Sequence, residues 1–463
     1  MSEEGNGRRS KRAAWLPSLG ALAVAALSLL LVAPTPTYDP WSWLLWGREI
    51  AGGDLSTEEG PAFKPLPVFV CAVLSVLGSA APWAWVLIAR VGSVLAIWLT
   101  FRLGRRLAGG SLPAGLLAGV GVALCGSFLA YGSAGLIIGW LVALALAGVE
   151  AWRAGRPRLA LLCGFGCGLL QVEAWPFLLA FGVLLWRRSP SDRPLLIASM
   201  LTLPALWFVP ELFGSGDLLR SADRARVPNA GQPALDRVPA LSSLREAAAL
   251  PLWPLWAGAL ALGMTALKGG RTARAALLPA AVGLAWVLLV AAMAQLGGFS
   301  GESRYALPGM ALIAISGAVG LVTGGRSAGR RASALAVVAA LGLISVAALP
   351  RFDRLSHLPA AQSFQSRLVS DLDRAIDAAG GRDAVLRCGQ PFVGPFHAPL
   401  AAYALDVPKR IVEADAFPAA PGVAFRSRLA ATAKAEPAAP SGFETVARTE
   451  RWEVLAACKV RMP

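Results

Sequence analysis

The sequence predicts an all-α polytopic membrane bundle followed by a small α+β domain, and three observations carry that prediction. Of the 463 residues, 56% are hydrophobic and only 15% charged, with a mean hydropathy of +0.58, whereas soluble domains carry roughly 25% charged residues. No charged residue stands between Arg106 and Glu150, enough chain for two spans of about 20 residues each. Finally, the net charge of +15 is dispersed in short basic clusters between apolar runs, the pattern of cytoplasmic loops and not of a nucleic-acid surface. The bilayer is the implied partner, and nucleic acid is excluded.

Those clusters also set the orientation. Arg8, Arg9, Lys11 and Arg12 open the chain, and similar groups recur around Arg105, Arg156, Arg187, Arg271 and Arg330. The opposite side carries more acids than bases, so the positive-inside rule puts the amino terminus in the cytoplasm. The apolar run from Ala13 to Ala33 is long for a signal peptide and predicts a retained first helix, about Trp15 to Val32.

Helix one delivers Thr37 to Pro67 to the outer face, with Asp39 near its start and Lys64 near its end. Trp41, Trp43 and Trp46 follow Asp39 at a spacing suited to the headgroup layer. Leu66 to Gly78 is too short to span and predicts a helix lying at the outer interface. Helix two returns from Pro82 to about Leu103 and carries Arg90, which faces either the bundle interior or the outer headgroups. An uncharged hairpin from Pro113 to Trp152, turning near Gly132 to Gly135, supplies helices three and four.

Only 28 residues separate Arg158 from Arg187, so this segment predicts two short helices with a tip, Gln171 to Glu173, below the outer surface. Glu173 is then a cavity-lining acid or a hydrogen-bonded structural one. Helix seven runs from Pro194 to Phe213, and the mixed charges of Gly214 to Leu250 read as a solvated loop. Helices eight and nine cover Pro251 to Leu267 and Ala275 to Leu296; a short loop then places Glu302, Arg304 and Tyr305 at the mouth of helix ten, as site residues or as interfacial anchors. Helix eleven, about Ala332 to Leu349, leaves the membrane.

Eleven spans from an inside amino terminus put the carboxyl terminus outside. The boundary falls at 349, giving a transmembrane domain at 1–349 and an extracytoplasmic α+β domain at 350–463. In the latter, AQSFQSRLVSDLDRAIDAAGG reads as an amphipathic helix ended by glycine, and DAVLRCG, KRIVEAD and RWEVLAACK read as strands. Cys388 and Cys458 are the only exported cysteines and are expected to pair. Cys163 and Cys167, one helical turn apart, read as packing residues, and no zinc pattern occurs.

Asp39 after helix one, Lys64-Pro65-Leu66-Pro67 closing the same loop, and Arg304-Tyr305-Ala306-Leu307-Pro308 at helix ten together resemble the glycosyltransferase C superfamily. The likeness is to its protein O-mannosyltransferase and bacterial aminoarabinose transferase branches. Three departures stand out: Leu66 separates the prolines, Tyr38-Asp39-Pro40 lacks a second acid, and Gln171 replaces a basic residue of the tip motif.

The resemblance implies a cell-membrane glycosyltransferase taking sugar from a polyprenyl-phosphate donor to an envelope acceptor, glycan or protein, on the outer face. Asp39 would be the catalytic base. Lys64, Arg304 and Arg90 would face the lipid phosphate, with Glu173, Glu302 and Tyr305 lining the cavity. No cofactor is expected, and a divalent-metal requirement is not readable. The rival readings are a degenerate transferase acting as a scaffold and a lipid or solute binder-transporter. No Walker or dinucleotide fingerprint occurs, and His357 and His397 have no hydrolase motif around them.

Overall fold

A computed structural model describes residues 2–324, 329–414 and 417–458. The chain opens with α1 (Ser2–Leu31), α2 (Tyr38–Gly52), α3 (Pro65–Leu74) and α4 (Ala81–Leu107). There follow α5 (Leu112–Ala123), α6 (Phe128–Ser133), α7 (Ile138–Arg153), α8 (Pro157–Leu170), α9 (Trp175–Arg188) and α10 (Arg193–Ser215). Then come α11 (Arg220–Ala225), α12 (Pro239–Ala248), α13 (Trp253–Leu267), α14 (Arg271–Gly297), α15 (Ser303–Thr323) and α16 (Arg330–Ser356).

Among the described residues, five helical stretches are long and apolar enough to cross a membrane: Pro65–Leu107, Pro190–Ser215, Arg271–Gly297, Ser303–Thr323 and Ala334–Ala378. A sixth is added if α12 and α13, bent by 98°, form one broken span. Of the other segments expected to span, the first is the apolar part of α1, Leu16–Leu31, and the rest are built from shorter helices. The uncharged stretch is three helices, not a plain hairpin, because Gly126 (φ 54°) and Gly135 (φ 86°) interrupt it. The segment 158–187 is the expected pair of short helices, α8 and α9, with Gln171 extended between them. Leu66 to Gly78 runs as α3 and a 3₁₀ turn, kinked at Gly78, directly into α4.

The centre of the bundle is α15, most of which is buried between α13 and α14. Its glycines allow this. A Cβ on Gly320 would lie 1.8 Å from the carbonyl oxygen of Gly258, and one on Gly317 would lie 2.2 Å from that of Leu255. Backbones in contact replace side-chain interdigitation, as expected where lipid offers no hydrophobic drive between helices.

After α16 the chain forms α17 (Leu358–Ala378), α18 (Arg382–Cys388), β1 (Gln390–Val393), α19 (Ala398–Leu405), β2 (Gly422–Arg428), β3 (Ala435–Glu436), β4 (Glu444–Arg448) and β5 (Trp452–Ala457). The sheet order is β1-β2-β5-β4, with β3 on β2; β1 and β2 are parallel and the other pairs antiparallel. The apolar face of α17, with Leu368, Leu372 and Ile376, packs on Phe425, Trp452 and Val454 of the sheet. A disulfide joins Cys388, at the end of α18, to Cys458 after β5.

Two expectations fail here. DAVLRCG is the helix α18, because Ala, Leu and Arg favour a helix once Gly381 (φ 85°) starts a new turn. KRIVEAD is a 3₁₀ turn at Lys409–Ile411 with a single bridge between Glu413 and Phe392.

The tryptophans of α2 are also misplaced by the interfacial reading. Trp43 and Trp46 are wholly buried, and Trp41 nearly so. The chain from 398 to 405 covers this face: Trp41 packs on Tyr403 with ring centroids 5.2 Å apart. An amphipathic ring gains more from a dry protein contact than from a headgroup when a partner surface is present.

Candidate active site

The first turn of α2, the loop before α3, the turn between α8 and α9 and the start of α15 converge on one cavity of about 790 Å³. Its polar lining includes Asp39, Lys64, Gln171, Glu173, Glu302, Arg304 and Tyr305. The apolar lining includes Trp175, Trp207, Phe208, Met293 and Phe299. Residues separated by up to 266 positions are thus brought together by the packing of four helix ends. Asp39 lies in the first turn of α2, where the helix dipole favours a carboxylate.

Arg304 is the hub of the charged cluster. Its Nη1 donates to Asp39 Oδ2 at 3.2 Å, its Nε lies 2.7 Å from Glu302 Oε2, and its Nη2 donates to the Tyr305 hydroxyl at 3.3 Å. Lys64 differs: among the described residues it makes no ion pair, and its Nζ lies 5.8 Å from the Tyr305 ring centroid. Burial pushes its ammonium below the usual lysine value, while the charges of Asp39 and Glu173 hold it up. A half-buried cation whose charge is not taken up by an ion pair is a ready counter-charge for an entering anion. Arg304, already shared by two carboxylates, is not.

Arg90 is not among the cavity-lining residues, which corrects its expected role at the lipid phosphate. Its guanidinium is committed to Ser28 Oγ (3.1 Å) and to the carbonyls of Val32 (2.9 Å), Ala33 (3.3 Å) and Ser133 (3.3 Å). It ties the end of α1 to α4 and α6. Helix ends leave carbonyls unpaired, and a multidentate guanidinium satisfies several at once inside a bundle.

The solvated loop expected at 214–250 holds the site together. Glu211, fully buried in α10, accepts from Thr57 Oγ1 (2.9 Å), Arg220 Nε (2.9 Å), Arg220 Nη2 (2.7 Å) and the Ser221 hydroxyl. Arg220 donates on to the Pro61 carbonyl at 3.0 Å, and the Phe63 N–H donates to Ser221 Oγ at 2.6 Å. The residues just before Lys64 are therefore fastened to α10 and α11. Sequence reasoning missed this; the one available signal was the acid Glu211 inside an apolar helix.

A second set of contacts comes from the carboxyl-terminal region. Arg48 pairs with Asp406 at 2.8 Å and donates to the Tyr403 carbonyl at 3.0 Å. Glu58 pairs with Arg410 at 2.8 Å, and Glu59 pairs with Lys409. Phe396 lines the cavity and meets Tyr38, the neighbour of Asp39, edge to face at 6.5 Å. Among the described residues, no group of three or more His, Cys, Asp or Glu side chains is arranged to hold a metal ion.

No protein-family model and no curated protein matches this sequence. Solved structures do match. The crystal structure of ArnT from Cupriavidus metallidurans bound to undecaprenyl phosphate aligns with a TM-score of 0.54, covering 96% of this chain and 98% of that one at 15% identity. The fold is that of ArnT. The apo-state crystal structure of the same protein gives 0.56 at 17% identity over the same shares. The alignment runs through the bundle and the carboxyl-terminal sheet alike, so the ArnT-like fold embraces both. The glycosyltransferase C resemblance read from the loop and helix-ten motifs points to that same fold.

Proposed function

We propose that this ArnT-like chain is an integral membrane glycosyltransferase that moves a sugar from a polyprenyl-phosphate donor to an envelope acceptor on the outer face. The observation that carries the reading is the cavity itself, which sets a carboxylate, Asp39, and a half-buried ammonium, Lys64, with no ion pair among the described residues, beside an aromatic apolar wall. A lipid-linked sugar phosphate has the matching parts. The reading is supported by the similar ArnT crystal structure, in which that protein is bound to undecaprenyl phosphate, the carrier part of such a donor.

In the proposed step the acceptor hydroxyl oxygen bonds to the anomeric carbon while the bond from that carbon to the phosphate oxygen breaks. The hydroxyl proton passes to Asp39. The polyprenyl phosphate leaves with one more negative charge, which develops opposite Lys64. Arg304 acts differently from the role the motif implies: it fixes the Asp39 carboxylate and is itself held by Glu302.

Asp39→Asn tests the chemistry, since the amide keeps size and hydrogen bonding but takes no proton at neutral pH. Transfer by the purified protein should slow by about 10²–10⁴-fold with little change in melting temperature. A wild-type rate would remove Asp39 as the base.

The same reading places residues 350–463 outside the cytoplasm. A reporter active only in the cytosol, fused after Pro463, should be silent.

A further inference from the structure

We infer that Gln171 and Glu173 form a subsite for the hydroxyl groups of the transferred sugar; this rests on the function proposed above and adds where the sugar is read. Both line the cavity, and both are more than nine-tenths buried. Neither the amide nitrogen nor the amide oxygen of Gln171 has a hydrogen-bond partner, and Glu173 Oε2 has none. The amide interacts with the Glu173 carboxyl, in a geometry that leaves its nitrogen and oxygen without a well-formed hydrogen bond.

Buried polar atoms are rarely left unpaired, because their lost contact with water is then uncompensated. Two such side chains, two residues apart and opening on the same cavity, are costly to the fold and useful only to something that enters. The atoms define what that is. Gln171 offers two N–H donors and one acceptor, and Glu173 offers a carboxylate acceptor. A phosphate has acceptors only, so it would leave the acceptor oxygens of Gln171 and Glu173 unpaired. A polyprenyl chain has neither donors nor acceptors. Hydroxyl groups both donate and accept, so a pair of them on one face of a sugar satisfies all the free atoms.

The neighbours fit the same ligand. Val172 and Trp175 line the cavity from the same turn. Trp175 is fixed, its Nε1 donating to the Gly168 carbonyl at 3.0 Å and its ring meeting Trp207 edge to face at 6.2 Å. Lys64 supplies the cation for the phosphate, and Trp175, Trp207 and Phe208 the surface for the first prenyl units.

The test compares two probes on the purified full-length protein: undecaprenyl phosphate, and the same lipid phosphate carrying a hexose. The hexose should tighten binding by tenfold or more. Gln171→Leu and Glu173→Gln, both close in size to the native residues, should each remove most of that gain, about tenfold, and leave the dissociation constant for bare undecaprenyl phosphate unchanged. With wild-type protein, which needs no substitution, a deoxyhexose donor lacking one ring hydroxyl should bind more weakly than the hexose donor. If the gain from the hexose survives in both variants, or if both lose bare lipid phosphate equally, the subsite is overturned. Wild-type protein that binds bare lipid phosphate but gains nothing from the hexose also overturns it, with the donor class intact. Failure to bind either lipid overturns the proposed function itself.

Discussion

Two buried polar clusters lie on either side of the α2–α3 loop and behave oppositely. Around Glu211 the carboxylate is fully covered and meets Thr57, Arg220 and Ser221, so both oxygens are bonded. Around Glu173 the side chains are nearly as buried, yet Gln171 and one Glu173 oxygen have no partner, and Lys64 has no ion pair among the described residues. Burial of charge therefore does not separate structure from function in this protein. Between these two clusters completion of hydrogen bonding is the difference: the finished one holds the backbone in place, and the unfinished one leaves atoms open to a ligand.

The largest effect that bears on this contrast is Glu211→Ala. It leaves the Arg220 guanidinium, itself mostly buried, without its counter-ion and should cost about 3–5 kcal/mol, read as a fall in melting temperature with faster proteolysis between Ser56 and Lys64. A loss under 1 kcal/mol would show that the knot is not structural.

Next is Glu49, which sits in α2 beside the loop. Burial raises its carboxyl to about 7, against 4.5 in the open chain, although the Ser56 N–H bond to Oε2 opposes this. The folded chain thus binds the extra proton between those values. Stability is greatest below pH 4.5, declines as pH rises to 7 and stays lower above. Glu49→Gln should remove that penalty, a gain of up to about 3 kcal/mol at pH 8 that vanishes at pH 4.5, seen as a pH-dependent difference in melting temperature.

Lys64→Met follows. It deletes the unpaired cation while keeping its length, and should weaken lipid-phosphate binding about 10–100-fold without destabilising the fold, because no ion pair is broken. Arg304→Ala should not give so clean a result, since it frees both Asp39 and Glu302. The smallest effect closes the comparison: Gln171→Leu should change the melting temperature little, or raise it, because an unpaired buried amide contributes nothing to the folded state.

Much of the bundle was legible in the sequence. The basic clusters and the 28-residue segment between Arg158 and Arg187 gave the paired short helices and the buried Glu173 from charge and length alone. Asp39, Lys64 and Arg304 were legible as motif positions, and their meeting in one cavity could be expected only through resemblance. The Glu211 knot was not legible, because Arg220 and Thr57 have no periodic relation to Glu211 and looked like ordinary loop residues. The same holds for the clamp of Arg48, Glu58 and Glu59 on Asp406, Arg410 and Lys409: pairing across some 350 positions leaves no local trace.

The sequence by itself determined the solvent of each segment, because hydropathy and the cost of burying charge act locally, residue by residue. It set the apolar helices, the basic loops between them and the polar carboxyl-terminal end. Tertiary structure alone decided which buried polar groups are finished and which are open. Arg90 and Arg304 were both donor-binding cations by resemblance; Arg90 became a clasp for four acceptors near helix ends, and Arg304 the bridge between Asp39 and Glu302. A guanidinium's role is set by the acceptors within about 3 Å of it, and those come from whatever the packing brings there.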